Sequence, residues 1–192
     1  MKILVTGFEP FAEYAENSSW AVAELLASAH DLPVDLVVEK LPVSFTATPI
    51  AFHNAVQKRT PDFVLMLGQA ASSEVIRLER IAINMMDATK SDNDGFVPNE
   101  EIIDRNGPTA YMSSLVNKKL LLPLKEQGLP VVISNSCGLY VCNRLYYEAL
   151  KHESVNPSVK HIFIHLPLAS TLPPSVMVQV LKQVILHIIK EK

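Results

Sequence analysis

Three residues far apart in this chain have the types needed for thiol acyl transfer. The first is Cys142, in the stretch Val131-Val132-Ile133-Ser134-Asn135-Ser136-Cys137-Gly138-Leu139-Tyr140-Val141-Cys142-Asn143-Arg144-Leu145-Tyr146-Tyr147. The apolar run to Ile133 reads as a buried strand and residues 134–138 as a turn. A helix is expected from Leu139, with Leu139, Cys142, Leu145, Tyr146 and Ala149 on one face. Cys142 then sits near a helix N-terminus, where unpaired N–H groups and the helix dipole favour an anion. Such a setting can lower a thiol pKa and make a nucleophile. The plain alternative is an inert, packed thiol. The second residue is His165, at the end of an apolar strand; an imidazole there can take the thiol proton and return it to a leaving amine. Its alternative is a buried histidine satisfied by a backbone carbonyl. His30, His53, His152, His161 and His187 lie in helices, turns or polar contexts with weaker placement. The third is Glu79, an acid inside the extended run 75–84, which could orient the imidazole through its second nitrogen. Buried carboxylates are rare unless paired; the alternative is a pairing with Arg77 or Arg80 on a solvated face.

Those side chains need elements to hold them. Strands are expected at 3–6, 34–43, 62–67, from Val131, and at 161–166, with a further extended segment at 75–84. Helices are expected at 18–29, with Trp20, Ala23, Leu26 and Ala27 on one face and Ser18 or Ser19 as cap, and at 46–59. Another is expected at 109–126, opened by Pro108 and closed at Gly128, and a last one at 174–190 with a stripe of Val176, Val180, Val184, Ile185 and Ile188. Residues 91–107 read as a long loop or small hairpin. The alternation predicts an α/β domain with a largely parallel sheet covered on both faces. Such sheets bind ligands outside the carboxyl ends of their strands. Here those ends lead to Gly7-Phe8-Glu9-Pro10-Phe11, to Gly68-Gln69-Ala70, to Ser134-Asn135 and on to Cys142, and to His165-Leu166-Pro167.

At 192 residues with 48% hydrophobic content, one domain spanning residues 1–192 is expected. The net charge of -3 and the scattered Lys and Arg residues argue against a nucleic-acid partner or an anionic membrane. The opening apolar run is too short for a signal-peptide core, and no segment approaches the ~20 apolar residues of a membrane span. Two cysteines five positions apart fit reduced thiols in a cytoplasm.

Four segments together resemble the pyroglutamyl-peptidase I family, the thiol class of pyrrolidone-carboxylate peptidases. They are the opening from Met1 to Phe11, Gly68-Gln69-Ala70 followed by Leu78-Glu79-Arg80-Ile81-Ala82-Ile83-Asn84, the stretch Ser134 to Asn143, and Ile162-Phe163-Ile164-His165-Leu166-Pro167. The resemblance spans essentially the whole chain. It implies a three-layer α/β/α sandwich around a mainly parallel twisted sheet, and removal of an N-terminal 5-oxoprolyl residue from peptides through a thioester acyl-enzyme. It implies Cys142 as nucleophile, His165 as general base and acid, and Glu79 as the orienting acid. Phe8, Phe11, Gln69, Tyr140 and Val141 would contact the substrate, with no metal or organic cofactor and with assembly into a homotetramer or dimer. The chain departs from the family pattern at Ala12-Glu13 and at residues 71–74, where glycines are usual. It departs also at Thr89-Lys90, where an arginine is usual, and at Cys137, where a small residue without a thiol is common.

Two other functions compete. A family member with substituted loops could bind oxoprolyl peptides without turnover, although Glu79, Cys142 and His165 are all present. A nucleoside-phosphorylase-like enzyme on a related fold would need a phosphate cradle, and the sequence carries no glycine-rich phosphate loop.

Overall fold

The computed structural model describes residues 1–29 and 31–191. In chain order the elements are β1 (Lys2–Phe8), α1 (Ser18–Ala27), β2 (Asp35–Leu41), α2 (Ala47–Arg59), β3 (Phe63–Gln69), β4 (Ile76–Glu79), β5 (Ile81–Ile83), β6 (Ala110–Met112), α3 (Lys118–Glu126), β7 (Val131–Ser134), α4 (Val141–Val155), β8 (Lys160–Leu166) and α5 (Pro174–Lys190). The main sheet has the order β2-β1-β3-β8-β4-β7, and β5 pairs with β6 apart from it. His30, among the histidines considered above, lies outside the described residues.

Alternation along the strands sorts side chains into two cores. Ile3, Val5, Leu65, Leu78, Ile162 and Ile164 pack with α1, α3 and α5. Leu4, Val64, Met66 and Phe163 pack with α2 and α4 on the opposite face. This is the expected sheet with helices on both sides. The same alternation decides where the chemistry faces. Arg77 and Glu79 flank Leu78 in β4, and Phe163 and His165 flank Ile164 in β8, so these four project toward the α4 side.

The sheet is mainly parallel, with one reversal that alters the expected rim. β1, β2, β3 and β8 share a direction. β4 and β7 are parallel to each other but antiparallel to β8, with Arg77 opposite His165 and Glu79 opposite Phe163. The carboxyl end of β7 therefore does not join those of β1, β3 and β8. The turn after Ser134 and the start of α4 bring Cys142 to the site instead.

Local expectations also shift. The helix expected at 109–126 is only α3. Residues 110–112 pair with 81–83 as a strand, and Asn117 caps α3 by accepting from Lys119 N at 2.8 Å and Leu120 N at 3.3 Å. Strand pairing, a tertiary effect, overrides the helical reading of the first turn. Gly128 still closes α3, at φ 73°. The cap of α1 is Asn17, whose Oδ1 accepts from Ser19 N at 3.0 Å, in place of Ser18 or Ser19. The segment 75–84 breaks at Arg80, whose N–H reaches Ser134 O while its carbonyl accepts from Ser113 N. In α5 the buried stripe runs through Met177 where Val176 was expected.

Candidate active site

His165 and Glu79 meet because β4 and β8 are neighbours. The Nδ1 of His165 lies 2.8 Å from Oε1 of Glu79, with Glu79 fully buried and His165 nearly so. Arg77 does approach the same carboxylate, 3.4 Å from its Nε to Oε1, but the setting is not a solvated face. Arg80 turns away to Asn135. Gly68 sits beside His165 in the β3–β8 ladder. A Cβ there would come within 3.0 Å of the imidazole and 2.8 Å of the Phe163 ring, so the bare glycine makes the space in which the imidazole lies.

Cys142 is the second residue of α4, and four contacts hold that helix against the carboxylate side. Tyr146, one turn along, donates from its hydroxyl to the backbone carbonyl of Glu79 at 2.8 Å. Asn143 is fully buried; its amide donates to Ile83 O at 2.8 Å and Met85 O at 2.9 Å, and its carbonyl oxygen accepts from Ile83 N at 2.9 Å. Polar groups buried and satisfied in this way fix one geometry. Among the described residues, no side chain caps the N-terminus of α4, which follows Tyr140, and no acid stands in its first turn. Its first N–H groups remain available to an anion beside Cys142.

Cys142 and His165 line one cavity of about 130 Å³, together with Phe8, Phe11, Gln69, Tyr140 and Val141. All five residues expected to contact substrate therefore gather here. That volume is far below the roughly 300–1,000 Å³ of drug-sized sites, so it suits one small ring. The amide of Gln69 has a fixed orientation, since its Oε1 accepts from Ser18 N at 2.8 Å. Its Nε2 donor is buried without a hydrogen-bond partner among the described residues. Phe11 packs on Tyr140 at 6.2 Å between ring centroids, and Phe45 meets Tyr140 edge-on at 5.1 Å.

The sequence reading missed the residues that brace this cavity. Asn17, Val43 and Cys137 also line it. Asn17 donates to Glu9 O at 2.9 Å, and Ser19 Oγ accepts from Phe8 N at 2.9 Å, tying α1 to the β1 exit. Gly7 permits that approach, since a Cβ there would lie 2.7 Å from Ser19 O. Asp92 is buried and accepts from Phe45 N at 2.8 Å and Phe96 N at 2.9 Å, holding the opposite wall. An acid in the loop 91–107 gave a signal no different from a solvated turn; Asn143, adjacent to the nucleophile candidate, was the one detectable cue.

Ala12, Glu13, Ala71, Thr89 and Lys90, all positions where the chain departs from the family pattern, line a separate open groove. This groove shares Phe11 and Tyr140 with the small cavity. Ala12 takes φ 53°, the left-handed region that glycine adopts without strain. Lys90 and Glu13 face each other at 3.7 Å, both largely exposed.

Charge is arranged to keep His165 protonated. Burial would lower its pKa, but the Cys142 sulfur and the Glu79 carboxylate outweigh that and raise it to about 9. A protonated imidazole beside Cys142 has a proton to give to a leaving group. Cys137 behaves oppositely: burial first, then the neighbouring Cys142 and Glu79 charges, push its thiol well up. One donor atom each from Glu79, Cys137 and His165 lies within 4.8 Å of the other two, a set able to hold a metal ion.

Comparison with known proteins agrees over nearly the whole chain. The family model described as pyroglutamyl peptidase matches residues 1–184. A pyrrolidone-carboxylate peptidase of Bacillus subtilis is 37% identical over 167 residues, covering 86% of this chain and 78% of that protein. One from Thermococcus kodakarensis is 37% identical over 168 residues, covering 87% and 81%. Among solved structures, pyroglutamyl peptidase I of Bacillus amyloliquefaciens superposes with a TM-score of 0.88 at 33% identity, covering 95% of this chain and 94% of that one. A mutant pyrrolidone carboxyl peptidase of Pyrococcus furiosus gives 0.92 at 31% identity, covering 100% and 99%.

Proposed function

The chain belongs to the pyroglutamyl peptidase family, and from that premise we propose that it is a cysteine exopeptidase releasing N-terminal 5-oxoproline from peptides. The observation that carries the reading is the buried 2.8 Å contact between His165 and Glu79 on the wall of the small cavity that Cys142 also lines. The Cys142 thiolate attacks the oxoprolyl carbonyl carbon. The N–H groups opening α4 receive the oxyanion. As the tetrahedral intermediate collapses to a thioester, the departing amine takes its proton from His165. His165, now neutral, removes a proton from water, which attacks the thioester and frees oxoproline and thiolate. Glu79 orients the ring through Nδ1 and stabilises the imidazolium.

The cavity supports the substrate class. Phe8, Phe11, Val141 and Tyr140 suit a neutral lactam, and Gln69 Nε2 offers a donor for its ring carbonyl. An uncyclised N-terminal residue would carry an ammonium into an apolar site without compensation. The residues after the oxoproline have room in the adjoining groove lined by Tyr14, Asp87 and Lys90. A peptide binder without turnover is disfavoured by the retained triad.

Incubation with an oxoprolyl fluorogenic amide tests the proposal. The wild type should release fluorophore and lose activity on alkylation with iodoacetamide. Cys142→Ala should fold, with an unchanged circular dichroism spectrum, and release none. Wild-type turnover by Cys142→Ala, or phosphate-dependent nucleoside cleavage by the wild type, would displace the reading.

The remaining expectations belong to the same proposal. The two continuous cores on one sheet support a single domain over residues 1–192. Among the described residues, no helix is long and apolar enough to cross a membrane. The scattered basic residues support the absence of a nucleic-acid partner. The reduced thiols fit the cytoplasm. Exposed Phe96, Val97, Ile102 and Met112 give a homo-oligomer, dimer or tetramer, apolar surface to cover.

A further inference from the structure

Cys137 has no step in the peptidase mechanism, yet its buried sulfur stands against the residues that do. We propose that Glu79, Cys137 and His165 form an inhibitory site for a thiophilic divalent cation of the zinc type. Their three donor atoms lie within 4.8 Å of one another, and all three residues are buried. A second, independent feature points to a ligand: Oε2 of Glu79 is buried with no hydrogen-bond partner among the described residues, on a side chain with no solvent exposure. A lone pair left bare in that environment is costly unless something can occupy it.

The donor set selects the cation. One thiolate, one imidazole and one carboxylate suit zinc or cobalt, whereas magnesium and calcium require oxygen ligands. At bond lengths of about 2.0–2.3 Å, tetrahedral ligands stand roughly 3.3–3.8 Å apart, so shifts on the order of 1 Å would close the set. A thiolate and a carboxylate balance the two positive charges. Binding releases two protons to solvent, one from the Cys137 thiol and one from the His165 imidazolium, with no change of oxidation state. Burial and neighbouring negative charge hold the thiol proton on in the empty site; a bound cation reverses this. The Arg77 guanidinium, 3.4 Å from Glu79, opposes the cation and favours reversible occupancy. A fourth position can be filled by water or by the Cys142 sulfur in the shared cavity. With His165 and Glu79 in metal bonds, the imidazole can neither carry nor return a proton, so turnover stops.

The effect on turnover rests on the peptidase reading; the binding does not, and two measurements separate them. First, Zn²⁺ is titrated into oxoprolyl-amide hydrolysis by the wild type and by Cys137→Ala, each scaled to its own metal-free rate. Loss of an outer-shell partner alone weakens metal sites by about 10–100-fold, so Cys137→Ala should need at least about tenfold more Zn²⁺ for half inhibition. Second, Co²⁺ is added to Cys142→Ala, in which Cys137 is the remaining thiol. A thiolate-to-cobalt absorption band should appear, and it should be absent from the variant lacking both thiols. Equal Zn²⁺ sensitivity of wild type and Cys137→Ala, or no cobalt band in folded Cys142→Ala, would overturn the site. A cobalt band in a protein without peptidase activity would support the site while refuting the peptidase.

Discussion

Replacing Gly68 by alanine tests whether the position of His165 is set by packing. The added Cβ would stand 2.8 Å from Phe163 Cζ and 3.0 Å from His165 Cδ2, whereas ordinary contact begins near 3.4 Å. Both rings must therefore retreat by roughly half an ångström, Phe163 within the packed core and His165 toward the cavity it lines. Overpacking of this kind costs about 1–3 kcal/mol of stability. The catalytic cost comes from geometry: a misplacement of about 1 Å can cost 10²-fold. For half that displacement we expect kcat/KM to fall by about 10–100-fold, equivalent to about 1.4–2.7 kcal/mol of transition-state stabilisation. The assay is kcat/KM on an oxoprolyl amide at a temperature where thermal unfolding shows the variant fully folded. Adding Phe163→Leu should recover part of the stability by making room for the methyl group. If folded Gly68→Ala kept wild-type kcat/KM, the claim that β3 fixes the imidazole would be wrong.

Other perturbations address charge and strain. Because His165 is held at about 9, kcat/KM should fall as pH rises through 9 and the proton owed to the leaving amine is lost; Glu79→Gln should shift that limb to lower pH and reduce kcat by about 10²–10⁴-fold, and an unmoved limb would refute the relay. Glu148, held by His53 and Arg144, and Glu153, where bonds from His161, Ser114 and Lys160 outweigh burial, each lie at about 2. Their folded pKa values are depressed, so their stabilisation is present above the usual carboxylate range and lost as pH falls toward 2. Thermal melts from pH 7 to 3 should show this decline, with a flatter dependence in Glu153→Gln; parallel curves would contradict it. Ala12→Gly should stabilise the fold by about 1 kcal/mol or less once glycine's chain entropy is subtracted, read as a higher melting temperature; a lower melting temperature would show that the strain at Ala12 is smaller than glycine's entropy cost.

The candidate groups for the proposed chemistry were legible in the chain because residue type and local context mark them. The buried strand Phe63–Gln69 announces itself as an unbroken apolar run, and α5 by its 3.6-residue stripe. Cys142 near a helix start, an acid in an apolar run and a histidine closing a strand are likewise local patterns. What the sequence alone did not contain was the partner of each element. The reversal of β4 and β7 is invisible locally, since a strand's residues carry no mark of their neighbour's direction. Residues 110–112 read as helix until pairing with 81–83 supplies hydrogen bonds that local propensity cannot anticipate. The bracing of the cavity by Asn17, Asp92, Asn143 and Tyr146 consists of contacts between distant segments, and the same polar types serve equally well in exposed turns. Residue types thus determined which reaction groups the chain owns. Only tertiary structure, through strand order and the burial it imposes, decided that Glu79 meets His165 rather than solvent and that Cys137 lies beside both.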